Sequence, residues 1–158
     1  MPNTYTQIHL QLVFAVKYRD AVIASIWKYE LYAYMTGIIH NYGHKLLVIN
    51  GMPDHVHLLI GMRPTQSLSD LMKNLKQDSS RWINENRKTP AHFNWQEGYG
   101  HGPTLRFSYG KSQLPAVITY IENQEKYHHR STFLEEYRRF LDAFEIEYDE
   151  RFLFKEPE

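Results

Sequence analysis

Residues 45–62 read KLLVINGMPDHVHLLIGM. Two apolar runs of strand length, 45–51 and 55–62, are separated by a break in which Gly51, Pro53 and Asp54 suit a tight reversal. A link that short obliges the two strands to pair antiparallel. This hairpin constrains the fold more than any other segment, because helix-period segments flank it on both sides. Before it, residues 21–42 place Val22, Ile26, Tyr29, Ala33 and Gly37 near one helical stripe, with Trp27, Leu31, Tyr34 and Ile38 beside it. Gly43 is a suitable C-terminal stop. After the hairpin, SLSD at 67–70 is a capping-box pattern that opens a helix to about Asn86, with Leu68, Leu71, Leu75 and Trp82 as its buried stripe.

The outer segments complete the pattern. IHLQLVFAV, residues 8–16, puts Ile8, Leu10, Leu12, Phe14 and Val16 on one face of a strand and His9 and Gln11 on the other. Residues 87–103 are loop-like, with Pro90, Gly98, Gly100, Gly102 and Pro103. TLRFSY, 104–109, is a short fourth strand. Ser112 is a candidate cap for a third helix to about Arg130, with Pro115 tolerated in its first turn, and TFLE at 132–135 starts a last helix. The order β-α-β-β-α-β followed by two helices predicts an α+β, ferredoxin-like antiparallel sheet, with the outer strands central or beside the hairpin. The 158 residues fit a single domain, 1–158, with an acidic extension from about 135 to 158. Many unrelated functions use this fold, so it names none.

Composition narrows the classes. With no cysteine, disulfides, thiolate chemistry and Cys-based zinc sites are excluded. No apolar run approaches the roughly 20 residues that span a bilayer, and no secretory signal is evident at the N-terminus, so a cytoplasmic protein without a membrane partner is expected. Net charge is zero, but its distribution is uneven. Residues 1–134 hold 14 Lys and Arg against 9 Asp and Glu, and residues 135–158 hold 4 against 9. The basic body hints at a polyanion-binding face.

Within the third strand, His55 and His57 stand at i and i+2 and so project from one face, with Val56, Leu58 and Ile60 on the other. Together they are two candidate metal ligands; ordinary hydrogen-bonding histidines are the other reading. Two ligands leave a metal site incomplete. The third helix offers candidates in TYIENQEKYHH: Tyr120 and Gln124 share a helical face at i and i+4. Gln124 brings a carbonyl oxygen suited to Mg2+ or Mn2+, and Tyr120 brings a hydroxyl nucleophile. His128, one turn further on, is an alternative ligand.

In this order and spacing, DHVHLLI (54–60), WQEGYG (95–100), FSYGKSQ (107–113) and YIENQEKYHH (120–129) resemble the single-tyrosine HUH transposases of small insertion sequences, the IS200-like transposases. The resemblance implies that His55 and His57 are the family's histidine pair, Gln124 its third metal ligand and Tyr120 its catalytic tyrosine. It implies cleavage and rejoining of single-stranded DNA through a 5′-phosphotyrosine, with a divalent cation, Mg2+ or Mn2+. It also implies hairpin-containing element ends as the partner, and a homodimer in which the tyrosine helix of one subunit completes the other's site. For DNA grip, Lys73, Lys76 and Arg81 on the second helix, and Arg106 and Lys111 around the fourth strand, are candidates. Tyr99, Phe107 and Tyr109 are candidates for stacking on unpaired bases. The alternative is a non-catalytic single-stranded DNA or hairpin-binding protein on the same fold. A histidine phosphoesterase is a poorer match, because YHH at 127–129 does not make a second motif.

Overall fold

Alternation is realised along the N-terminal strand and the second strand of the hairpin, and a bulge interrupts it in the first. The structure, a computed structural model, describes residues 8–63, 66–96 and 104–124, with the backbone alone at 19 and 104–109. Four strands, β1 (Ile8–Ala15), β2 (Lys45–Met52), β3 (His55–Met62) and β4 (Thr104–Tyr109), form one sheet in the order β2-β3-β1-β4. Every neighbouring pair is antiparallel. The hairpin turns on Pro53 and Asp54, since Met52 stands opposite His55 and Gly51 opposite Val56. Gly51 is required there. A Cβ on it would collide with the His55 carbonyl oxygen and lie 2.8 Å from Val56 Cα.

Helices α1 (Lys28–Asn41) and α2 (Leu68–Glu85) cover one face of the sheet. Their buried side chains, including Leu31, Met35, Ile39, Leu71, Leu75 and Ile83, form one core with Leu10, Leu12, Phe14, Val56, Leu58 and Ile60. The Ser67 hydroxyl accepts a hydrogen bond from the Asp70 amide (3.1 Å), so the expected cap of α2 is in place. Gly43 stops α1 at φ 85°: its amide reaches the His40 carbonyl while the His44 amide reaches that of Ile39, the Schellman closure.

Two expectations need correction. α1 begins at Lys28 rather than near residue 21, because Ile23 donates its amide to the Pro53 carbonyl (2.9 Å) and holds the lead-in extended against the hairpin. Its buried stripe consequently runs through Leu31, Met35, Ile38 and Ile39, and Ile26 and Tyr29 are exposed. Ser112 lies in a 3-10 turn (Lys111–Gln113) and does not cap α3 (Leu114–Glu122), whose N-cap position is Gln113. Pro115 does sit in the first turn of α3. The expected continuation to Arg130, the helix from residue 132 and the acidic extension lie outside the described residues.

The loop after α2 is pinned back to the core edge. Asn84 exchanges two hydrogen bonds with the Phe93 backbone (2.8 and 3.1 Å), and Trp95 Nε1 donates to the Ser79 hydroxyl (2.9 Å). Phe93 and Phe14 meet the Trp95 ring edge-on. Among the described residues no helix is long and apolar enough to cross a membrane.

Candidate metal and tyrosine site

α3 lies on the opposite face of the sheet from α1 and α2. Strand register explains what it meets there. On β3, His55 and His57 turn away from the apolar core, and β1 adds Gln11 to the same face. A bulge in β2 between Leu46 and Val48 shifts that strand by one residue, so that Asn50 stands opposite His57. A one-residue slip exchanges the two faces of a strand, so without the bulge Asn50 would belong to the core side. The Asn50 amide nitrogen donates to the last carbonyls of α3, those of Ile121 and Glu122, at 3.1 Å each. These bonds tie α3 to β2 and hold the helix over the sheet.

The docked helix brings its chemistry to the histidines. The Tyr120 ring stands perpendicular to that of His57 at a centroid distance of 5.7 Å. The His55 and His57 rings are 5.0 Å apart. Gln124 Oε1 is 3.4 Å from His55 Nε2, while Gln124 Nε2 donates to the Tyr120 carbonyl (3.2 Å) and fixes which end of the amide faces the ring. His55, His57 and Gln124 are fully buried and Tyr120 nearly so. The four residues singled out in the sequence therefore form one cluster, within a single chain.

Each histidine is held from behind through Nδ1. Asp54, the second turn residue, places Oδ1 2.6 Å from His55 Nδ1. Accepting from Nδ1–H, the carboxylate leaves Nε2 with its lone pair toward Gln124. His57 Nδ1 lies 3.0 Å from the side-chain nitrogen of Gln11, which is fully buried. The donor set suits a hard or borderline divalent cation: two imidazoles and one amide oxygen, with a carboxylate behind one ring. His55 Nε2 and Gln124 Oε1 face each other, and both are ligand-capable atoms. Their 3.4 Å separation is near the about 3 Å expected between adjacent ligands of an octahedral ion with bonds of ~2.1 Å. Gln124 adds an amide oxygen beside the two imidazoles.

Comparison with known proteins identifies the family. The family described as "Transposase IS200 like" matches residues 4–124. The chain belongs to the IS200-like transposase family. This family member is 35% identical to the ISDra2 transposase TnpA of Deinococcus radiodurans over 75 residues, or 48% of this chain and 54% of that relative. The match thus spans about half the length of the curated relative. A crystal structure of a protein of Deinococcus radiodurans R1 assigned as a transposase superposes with a TM-score of 0.60 at 26% identity, covering 78% of this chain and 95% of that one. A REP-associated tyrosine transposase bound to a REP hairpin shares the fold, with a TM-score of 0.59, 10% identity, and 81% and 73% of the two chains covered. The family expected from the motifs is the family found.

Of the residues considered for DNA grip, those on α2 lie away from this cluster. Lys73 and Arg81 are exposed on α2, in the layer on the other side of the sheet, and Arg81 pairs with Asp78 (2.6 Å). Lys76 is half-buried: its Nζ donates to the Gln96 carbonyl (3.3 Å) and lies 5.7 Å from the centre of the Phe14 ring. Lys111 is exposed in the turn that leads into α3. Arg106, Phe107 and Tyr109 occupy β4 opposite Leu12, Gln11 and His9. Tyr99 and His128 lie outside the described residues. The sequence did not single out Gln11 or Asn50. The one signal for Gln11 was its place on the polar side of an otherwise apolar strand.

Proposed function

We propose that this IS200-like family member cleaves and rejoins single-stranded DNA by metal-assisted transesterification, with Tyr120 as the nucleophile. The observation that carries the reading is the buried cluster of His55, His57 and Gln124 beside the Tyr120 ring. A divalent cation, Mg2+ or Mn2+, held by His55, His57 and Gln124 supplies charge neutralisation at the scissile phosphate when bound. Tyr120 Oη attacks phosphorus, the new Oη–P bond replaces the P–O3′ bond, and the tyrosine proton is released. The products are a 5′-phosphotyrosine and a free 3′-OH. Reversal by a 3′-OH of a second strand joins new ends with no external energy source. Asp54 keeps the His55 ring oriented, and Asn50 keeps the Tyr120 helix over the sheet.

The substrate is single-stranded DNA from element ends that contain hairpins, and the working unit is a homodimer. The hairpin carried by the REP-associated neighbour is consistent with such a ligand. The test is incubation with single-stranded DNA from the element's own ends and Mg2+ or Mn2+, with denaturing gels to detect a covalent protein–DNA adduct. The wild type forms it only with metal, and both Tyr120→Phe and His57→Ala lose it. An adduct at wild-type level from Tyr120→Phe would assign the nucleophile elsewhere. Binding without any metal-dependent adduct would favour a binding protein over an enzyme.

A further inference from the structure

The two histidines are held by chemically different groups. His55 Nδ1 faces a carboxylate, which in its ionised form only accepts hydrogen bonds. His57 Nδ1 faces an amide, which presents either a donor or an acceptor depending on which way it is turned. In the structure the amide nitrogen of Gln11 faces the ring, at 3.0 Å. An NH2 group donates only to a bare Nδ1, and a neutral imidazole with Nδ1 bare carries its proton on Nε2. That tautomer offers no lone pair at Nε2. Turning the Gln11 amide by 180° brings Oε1 to the ring, which accepts from Nδ1–H and opens Nε2 as a ligand atom. Both groups are fully buried, so a mismatch between them leaves a polar pair unmet and disfavours that combination.

We propose that Gln11 is a positioning residue that selects the tautomer of His57, so that binding of a cation at Nε2 is coupled to the way the Gln11 amide is turned. The proposal rests on the reading of His57 as a metal ligand. It distinguishes the ligands: His55 is preset by Asp54, and His57 is switched. Strand geometry supports it, because Gln11 and His57 are diagonal neighbours across the β1–β3 ladder, where Gln11 pairs with Leu59 and His57 with Val13.

Two readouts test it without activity. The first is 15N NMR of the imidazoles in the metal-free protein. Wild-type His57 is expected as the Nε2–H form, and Gln11→Glu, whose carboxylate accepts from Nδ1–H, shifts it to Nδ1–H. The second is the Mn2+ dissociation constant from titration followed by electron paramagnetic resonance. Gln11→Met, similar in size but without the amide, weakens Mn2+ binding by roughly tenfold or more, in the range seen when partners behind metal-ligating histidines are removed, and Gln11→Glu restores or exceeds wild-type affinity. Equal His57 tautomers in wild type and Gln11→Glu would overturn the proposal, as would equal Mn2+ affinities in wild type and Gln11→Met. A wild type that binds no Mn2+ while the tautomers shift as described would overturn the metal reading and uphold the assignment of Gln11.

Discussion

The two faces of the sheet are built on opposite plans. One face carries Leu10, Leu12, Phe14, Val56, Leu58 and Ile60 under two helices, and its cohesion comes from many interchangeable apolar contacts. The other carries Gln11, Asn50, His55 and His57 under one nine-residue helix, and its order comes from a few directed hydrogen bonds. Alternation along β3 lets the same eight residues serve both: Val56, Leu58 and Ile60 anchor the strand, and this anchor holds the histidines in place between them. The apolar face is built for stability, and the proposed chemistry belongs to the polar face. Variants on the two faces are therefore expected to separate folding from function.

The widest separation is expected at Tyr120. Tyr120→Phe keeps the ring packed against His57 and removes only the hydroxyl. Adduct formation should fall by roughly a thousandfold or more, with unfolding free energy changed by less than about 1 kcal/mol. Denaturant unfolding beside the adduct assay checks both numbers. A large loss of stability would show that the hydroxyl serves the fold, and the division between faces would fail. Leu58→Ala makes the complementary test. It empties a fully buried site in the α1–α2 core and should cost about 2–5 kcal/mol, while the molecules that remain folded still form the adduct at a near-normal rate.

How much of this was legible in the sequence depended on range. The period-2 pattern put His55 and His57 on one side and Val56 on the other, and the capping pattern placed the start of α2 at Ser67. Tyr120 and Gln124 were found because helix period places them on one face. Contacts that depend on register between strands were not legible. Gln11 meets His57 only because β1 pairs with β3 at one register, and Asn50 reaches α3 only because a bulge shifts β2. The start of α1 escaped for a similar reason: a backbone bond from Ile23 to Pro53 overrides a helical pattern. The spacing of Lys76 from Lys73 did not reveal that its ammonium reaches the Gln96 carbonyl and lies over the Phe14 ring.

Asn50→Ala probes how firmly α3 is seated on the sheet. It removes both bonds to the end of α3 and leaves the apolar face untouched. A loss of about 1 kcal/mol, confined to that helix, is expected. Hydrogen exchange should quicken by roughly fivefold in α3, with no change in β1, β3 or α1. Uniform quickening would mean that the two faces unfold as one cooperative unit.

The smallest effects are expected on α2, where Lys73 and Lys76 test whether the layer behind the core takes part in DNA binding. Lys73→Ala alters an exposed side chain and should shift stability by no more than about 0.5 kcal/mol. If this lysine meets a phosphate, single-stranded DNA binding weakens modestly for every sequence, and the slope of log affinity against log salt drops by about 0.7. Lys76→Met removes the ammonium that lies over Phe14 and bonds the Gln96 carbonyl, so it acts on the loop that holds Trp95. Its effect should appear as a slight loss of stability with an unchanged salt slope. If both variants lower the slope equally, the second helix follows the DNA backbone as its lysine spacing suggests. The layer that supplies the core would then also supply part of the grip, and the separation between faces would hold for chemistry but not for binding.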